Sequence, residues 1–308
     1  MAIYHLTARP VRRSKGKSSV AAAAYRAATR LTDERTGVVH DYRRKVGVTH
    51  REIIGTALER EALWNTAEAV ERQRNGCTGR EYEIGLPVDL TQGQRQVAAQ
   101  EFARWLHERH GVAVDLCIHE DNLGNPHAHV LTSTRVVGDD GGSLAGKAAV
   151  EWSDKRRADH GLPARRNELH ATREAWAEIA NAALTSAAAV ARIDHRTLAA
   201  QGIDRDATIH EGAGCRRIEE RSGEDEPVTD RRAYNSAITD LNEYRAQREQ
   251  LDAEEAAEAV QTPEPMPEVR QGGNLAERID VSRVPSLSPE AVSRAPAAET
   301  ASADLSYL

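Results

Sequence analysis

The chain has few cysteines, few aromatic residues and no long apolar segment. Its three cysteines, Cys77, Cys117 and Cys215, show no paired spacing, so a disulfide framework is not expected and a reducing compartment fits. No apolar run approaches the roughly 18 residues of a membrane span, and the first residues lack the charged-then-apolar order of a signal peptide. We therefore expect a cytoplasmic protein without membrane insertion. Aromatic residues make up 4% of the chain, with a single Phe, so the core must depend on Leu, Val, Ile and Ala.

Charge is distributed unevenly along the chain, although the net charge is only −7. Residues 1–60 carry 13 Lys and Arg against 5 Asp and Glu, whereas residues 221–308 carry 9 against 18. The basic first segment predicts a polyanionic partner such as nucleic acid. The alternative is that these side chains only solvate loops. The candidates for phosphate contacts are Arg12, Arg13, Lys15, Lys17, Arg26 and Arg30.

The hydrophobic pattern predicts helices packed on the faces of a central antiparallel sheet, an α+β fold. Proline and small residues dominate after residue 261 and are typical of disorder. We therefore divide the chain into a core domain (1–212), a charged helical extension (213–260) and a disordered tail (261–308). Strands are expected at 2–7, 36–42, 46–54 and 80–86, a basic loop at 9–17, and helices at 18–32, 58–74, 91–110, 167–191, 193–202 and 231–260.

A histidine-rich hairpin is the most informative motif. Alternating residues lead into His119 and out of His127, and the segment between them has the composition of a turn. An antiparallel hairpin places His119 opposite His127, with His129 two residues along the same face. A lone histidine is usually an ordinary core or surface residue, but three that converge from one hairpin favour a divalent metal site.

A metal held by three imidazoles keeps coordination positions open and can polarise a substrate oxygen such as that of a phosphate. The candidate nucleophile is Tyr25, on an alanine-rich helix with Arg26 and Arg30 nearby. A phenol is a poor nucleophile at neutral pH and needs a base, a cation or a metal-activated target. The alternative is a tyrosine that packs its ring and hydrogen-bonds its hydroxyl. The rival tyrosines are Tyr4, Tyr42 and Tyr82.

Two carboxylates, Glu81 and Glu83, share one face of the strand that ends before Pro87. They either orient a metal-ligating histidine from behind or line a solvated face of the sheet. The residues alone leave both interpretations open.

Several segments in order resemble the MobA/MobL family of plasmid mobilisation relaxases. The likeness covers residues 1 to about 212 and is carried by the opening strand (2–7), the alanine-rich helix bearing Tyr25, the strand 80–87, the segment 125–129, and the segments 172–177 and 192–202. It implies a single-strand DNA endonuclease and transesterase of the HUH type. Under it Tyr25 is the nucleophile, the three histidines are the metal ligands, and Glu81 and Glu83 match acidic positions near that centre.

The resemblance also implies a function and a setting. The expected reaction is strand-specific nicking and religation at a plasmid origin of transfer, through a covalent 5′-phosphotyrosine and with Mg²⁺ or Mn²⁺ (Zn²⁺ is also compatible). The expected partners are single-stranded origin DNA, relaxosome accessory proteins and a coupling protein. The expected location is the bacterial cytoplasm, and transfer together with the DNA into a recipient cell is compatible with this role. The alternatives are an HUH-type rolling-circle replication initiator or transposase, and a non-catalytic DNA-binding regulator with structural zinc.

Overall fold

The computed structural model describes residues 4–120, 125–209 and 230–261. By its internal contacts the chain divides into two compact units, residues 1–242 and 243–308. The first unit contains the sheet and every site discussed below. The predicted domain boundary at residue 212 and the predicted tail beyond residue 261 lie outside the described residues.

The main sheet has six strands, all paired antiparallel. Its order is β1 (Leu6–Arg12), β5 (Cys77–Gly85), β7 (His127–Val137), β6 (Val112–His119) and β4 (Val48–Ile54), with β8 (Leu144–Lys147) paired to β7. β2 (Arg30–Asp33) and β3 (Val38–Asp41) form a separate two-stranded hairpin. The strand order places β1 at one end of the sheet, and this strand includes Pro10.

Helices cover both faces of the sheet. The described residues form the helices α1 (Ser19–Arg26), α2 (Arg60–Val70), α3 (Gln92–His110), α4 (Asp154–Asp159), α5 (Arg165–Ser186) and α6 (Asp230–Gln261). Of these, α3 and α5 pack on one face of the sheet, and α1 and α2 pack on the other. On one face, Leu116 packs in a cluster with Phe102 of α3 and Trp176 of α5. On the other, Leu131 packs with side chains of α1 and α2, among them Trp64. The predicted α+β class, with helices on the faces of an antiparallel sheet, is confirmed.

Some predicted element bounds hold and others are wrong. α3 begins after a capping box between Thr91 and Gln94 and ends at Gly111, which has a φ of 65°, as its cap residues predict. The helix expected from 18 to 32 ends at Arg26, because Ala28 adopts a φ of 48° and the chain then enters β2. In the predicted helix 193–202 only a short 3-10 turn forms at Ala199–Gln201. The predicted basic loop 9–17 is largely β1 and a 3-10 turn at Arg13–Lys15.

The first turn of α1 is anchored on a buried carboxylate of α2. Glu68 Oε1 accepts hydrogen bonds from the amide and the hydroxyl of Ser19, each at 2.8 Å, and from Thr78 Oγ1 at 3.0 Å. Its Oε2 accepts from Arg13 Nε at 2.9 Å. Since the Glu68 side chain is only 1% exposed, these donors replace the water that the carboxylate loses. Glu68 therefore holds α1 against the neighbouring helix.

Glu68→Gln should lower the free energy of unfolding at neutral pH by about 3 kcal/mol, because the mostly buried Arg13 guanidinium loses its counter-charge. Burial opposes ionisation of Glu68, but its hydrogen bonds outweigh burial and lower the pKa of the carboxyl. A carboxyl whose pKa is lower in the folded protein than in the unfolded chain stabilises the fold at pH values above the unfolded-state pKa. This stabilisation is lost as the pH falls through the folded-state pKa. Urea unfolding of wild type and Glu68→Gln should therefore show that the difference between their free energies of unfolding becomes smaller as the pH falls.

The matched control is Glu108→Gln, which changes an exposed carboxylate on α3 and should have little effect. A difference between wild type and Glu68→Gln that stays constant down to low pH would contradict the assigned ion pair.

Candidate active site

The three histidines lie together on one face of the β6–β7 hairpin. His119 pairs with His127 in the strand register, and His129 lies two residues further along β7. One ligand nitrogen from each ring lies within 4.8 Å of the other two. The hairpin register predicted from the sequence is therefore observed, and the cluster is compact enough to surround a single cation.

Each imidazole also has an acceptor that sets which of its nitrogens carries the proton. His119 Nε2 lies 2.7 Å from the Arg26 carbonyl oxygen, His127 Nδ1 lies 2.8 Å from the Asn125 carbonyl oxygen, and His129 Nδ1 lies 2.8 Å from Glu81 Oε1. Since carbonyl and carboxylate oxygens only accept, these nitrogens are the donors in the neutral rings. The other nitrogen of each ring keeps its lone pair. Such outer partners are what orients histidine ligands in metal sites.

Burial favours the neutral form of two of these imidazoles, His119 and His129. It lowers the pKa of His119 to about 3, against the opposing effect of the Arg26 carbonyl and with help from the neighbouring His129, Lys45 and His127. Burial also lowers the pKa of His129, although Glu81 opposes the shift. A neutral imidazole is the form that binds metals. The donor set therefore fits a divalent cation, and His119, His127 and His129 are the residues that would hold it.

Glu81 links the histidine cluster to α1. Its side chain is buried on β5, and Oε1 accepts hydrogen bonds from His129 Nδ1 and from Arg26 Nε. Burial opposes ionisation, but the hydrogen bonds from His129 and Arg26 outweigh it and lower the pKa of Glu81 to about 2. The carboxylate therefore stays charged at neutral pH and holds the His129 ring.

Glu83 has different partners. It lies opposite His129 in the strand register, and its carboxylate lies 3.9 Å from His5 Nε2 and 3.8 Å from Arg9 Nη1. Among the residues that the structure describes, Glu81 therefore hydrogen-bonds a histidine of the cluster, whereas Glu83 lies near His5 and Arg9.

The last turn of α1, which carries Tyr25, contacts the histidine cluster through its backbone. Carbonyl groups in the last turn of a helix have no amide partner within the helix. Here the Tyr25 carbonyl accepts from Lys45 Nζ at 3.2 Å, the Arg26 carbonyl accepts from His119, and the Ala27 carbonyl accepts from Arg51 Nε. The residue that follows Tyr25 therefore contacts a histidine of the cluster directly.

Tyr25 presents its side chain to solvent. The residue is 45% exposed, its ring meets the Tyr42 ring edge-on at a centroid distance of 5.2 Å, and Lys45 Nζ lies 3.8 Å from its centroid. Burial raises the pKa of the rivals Tyr4 and Tyr82, which makes them poorer nucleophiles. Tyr25 is thus the most accessible of the four tyrosines considered, and its backbone adjoins the histidine cluster.

The six basic candidates separate into two groups. Arg13 donates to Glu68 and to the carbonyl groups of Glu71 and Gln73, and Arg26 donates to Glu81 and to the Ala22 carbonyl. Both guanidinium groups are therefore engaged within the protein. The four with exposed side chains are Arg12, Lys15, Lys17 and Arg30.

Sequence reasoning missed Lys45 and the two backbone carbonyls, of Arg26 and Asn125, that orient histidines. Lys45 stands in a basic run after β3, but nothing in its spacing relates it to Tyr25. Backbone acceptors carry no signal in residue type.

Comparison with known proteins decides the family. The family model described as MobA/MobL matches residues 17–221. The chain belongs to the MobA/MobL family. It is 41% identical over 253 residues to "Mobilization protein MobL" of Acidithiobacillus ferridurans, covering 73% of this chain and 66% of that relative. It is 38% identical over 267 residues to "Mobilization protein A" of Escherichia coli, covering 80% of this chain and 35% of that relative.

A solved structure supports the same fold. The structure titled "Molecular Basis of Vancomycin Resistance Transfer in Staphylococcus aureus" aligns with a TM-score of 0.54 and 28% identity, over 64% of this chain and all of that chain. Among the described residues, no helix is long and apolar enough to cross a membrane. This MobA/MobL chain spans between about a third and two thirds of the length of the two relatives named above.

His127→Ala should weaken binding of Mn²⁺ at least tenfold, because it removes one of three converging imidazoles without disturbing the buried sheet. Isothermal titration calorimetry of the purified chain with MnCl₂ measures the affinity directly. The control is His160→Ala, which removes an exposed histidine whose ring contacts Trp152. Equal Mn²⁺ affinity of wild type and His127→Ala would contradict a metal site at this cluster.

Proposed function

We propose that this chain nicks and religates one DNA strand at a plasmid origin of transfer during mobilisation. The observation that carries the proposal is the hydrogen bond between His119 of the cluster and the Arg26 carbonyl, in the last turn of α1 that also carries the exposed Tyr25. Membership of the MobA/MobL family and the mobilisation proteins among its relatives support the same role.

In the proposed reaction the Tyr25 oxygen attacks the scissile phosphorus. A bond forms between this oxygen and phosphorus, the bond from phosphorus to the 3′ oxygen breaks, and the 5′ end remains on the protein as a phosphotyrosine. Because one phosphodiester replaces another, the step is close to energetically neutral and can run backwards to religate the strand. Glu81 keeps His129 oriented throughout, and the Arg26 carbonyl does the same for His119.

A divalent cation bound by the three histidines would neutralise charge on the phosphate oxygens as the transition state forms. Imidazole nitrogen suits transition metals, whereas Mg²⁺ prefers oxygen ligands. Of the expected ions, we therefore propose that Mn²⁺ binds more tightly than Mg²⁺, with Zn²⁺ also compatible.

The proposed partners follow from the same role. Single-stranded origin DNA is the substrate, and relaxosome accessory proteins and a coupling protein are its companions in the bacterial cytoplasm, from which the chain can accompany the DNA into a recipient. A rolling-circle replication initiator or transposase would use the same chemistry, but the relatives named above are mobilisation proteins. A regulator with structural zinc would form no covalent DNA adduct, which separates it from the proposal.

Tyr25→Phe should abolish nicking and leave oligonucleotide binding nearly unchanged, because the variant lacks only the attacking oxygen. A denaturing gel of protein with labelled origin oligonucleotide and Mn²⁺ should show a protease-sensitive covalent adduct for wild type and none for the variant. Tyr42→Phe is the matched control, since it removes the hydroxyl of the neighbouring ring. Undiminished cleavage by Tyr25→Phe would refute the assignment.

Binding of a single-stranded oligonucleotide should weaken with salt at a logarithmic slope of about −0.7 per phosphate contact. The exposed side chains of Arg12, Lys15, Lys17 and Arg30 are the proposed contacts. Fluorescence anisotropy should show each single Ala variant reducing the slope by roughly one contact. Arg35→Ala serves as a control, since its guanidinium pairs with Glu68 and Asp33. A salt response unchanged by all four variants would contradict the assignment.

A further inference from the structure

Lys45 lies directly against the tyrosine proposed to act as nucleophile. Its Nζ is 3.8 Å from the centroid of the Tyr25 ring and 3.2 Å from the Tyr25 carbonyl oxygen. The Lys45 amide donates to the Tyr42 carbonyl at 2.9 Å, which closes the turn after β3. Tyr42 itself meets the Tyr25 ring edge-on. One turn therefore supplies two side chains, of Tyr42 and Lys45, that contact the Tyr25 ring.

The surroundings of Lys45 keep its charge close to the ring. It is faced by Arg26 from α1, Glu81 from β5, and Cys117 and His119 from β6. Burial, followed by the charge of Arg26, lowers the pKa of Lys45 to about 8, so the amine is mostly protonated at neutral pH. A partly desolvated ammonium over an aromatic face interacts more strongly than one in water.

We propose that Lys45 is a positioning residue that holds the Tyr25 ring in place and stabilises its tyrosinate form. This inference rests on the proposed function. In the forward direction the phenol gives its proton to solvent, the oxygen–phosphorus bond forms, and the departing 3′ oxygen takes a proton from solvent. In religation the 3′ hydroxyl loses its proton to solvent as it attacks phosphorus, tyrosinate leaves, and it regains a proton. The ammonium lowers the energy of tyrosinate in both directions.

A first experiment measures the phenolate character of Tyr25 without DNA. Tetranitromethane nitrates phenolate, and peptide mass spectrometry gives the nitration rate of Tyr25 at a fixed pH of about 7. Lys45→Met should slow nitration of Tyr25 about fivefold, because a nearby positive charge stabilises the phenolate more than it stabilises the neutral phenol. Lys45→Arg should restore most of the rate, because its charge is permanent. Arg44→Met, a change of the neighbouring exposed side chain on the same turn, should leave the rate unchanged.

An increase in the nitration rate of Tyr25 in Lys45→Met would indicate a different role for Lys45. A Lys45 that merely covers the ring would expose Tyr25 when shortened or neutralised, and nitration would then become faster. Faster or unchanged nitration in Lys45→Met would therefore overturn the proposal. Circular dichroism and thermal unfolding of each variant verify that the fold is retained. Should Lys45→Met fail to fold, Lys45→Gln tests the same loss of charge.

A second experiment tests the consequence for strand cleavage. With saturating single-stranded origin oligonucleotide and Mn²⁺, Lys45→Met should reduce the single-turnover rate of adduct formation about tenfold while the oligonucleotide Kd changes less than twofold. Lys45→Arg should recover the rate. A loss confined to Kd, or a loss that Arg does not rescue, would overturn the positioning role and assign Lys45 to DNA binding or to the fold.

The two experiments separate the inference from the function on which it rests. In one outcome the wild type forms no adduct, but nitration of Tyr25 still depends on the charge at residue 45. This outcome refutes the proposed reaction and supports the pairing of Lys45 with Tyr25. In the other outcome the wild type forms the adduct, but neither nitration nor cleavage changes when residue 45 is substituted. This outcome refutes only the inference about Lys45.

Discussion

The site depends on three backbone carbonyls at the end of α1 and at its C-cap that accept hydrogen bonds from side chains elsewhere in the chain. Lys45 donates to the Tyr25 carbonyl, His119 to the Arg26 carbonyl and Arg51 to the Ala27 carbonyl. The bond from His119 has two effects at once, because it attaches the helix to the sheet and selects the nitrogen of His119 that carries the proton. The placement of Tyr25 and the readiness of His119 to bind a cation are therefore consequences of one interaction. Negative partial charge at the helix end strengthens all three bonds.

Two buried carboxylates hold α1 at its opposite ends. Glu68 of α2 binds the amide and hydroxyl of Ser19 at the start of the helix, and Glu81 of β5 binds Arg26 at its end. Carboxylates in such positions add little net stability compared with apolar packing, since burial of each charge is costly. Their benefit is geometric, because each accepts several hydrogen bonds whose directions fix the helix. A short helix of eight residues, which carries the proposed nucleophile Tyr25, is thereby held at both of its ends.

The parts of this architecture that local sequence determines were predictable. The alternation around His119 and His127 determines the hairpin register, and Thr91 with Gly111 determines both ends of α3. The end of α1 was not predictable, because an alanine-rich run contains no stop signal and residue type does not mark Ala28 for its left-handed conformation. In the same way, residue type marked Arg13 and Arg26 as surface cations, and only the fold reveals their buried carboxylate partners. The family resemblance supplied what spacing left open about Tyr25.

The edge strand β1 has a consequence for how this chain meets other molecules. A terminal strand normally offers a row of backbone donors and acceptors to which a foreign strand can add. Pro10 removes one donor from that row, and Arg9 and Arg12 place exposed charge on either side of it. This border of the sheet is thus ill suited to β-augmentation by a second polypeptide. Self-association into stacked, fibre-like aggregates is disfavoured along this edge even where the protein is locally concentrated.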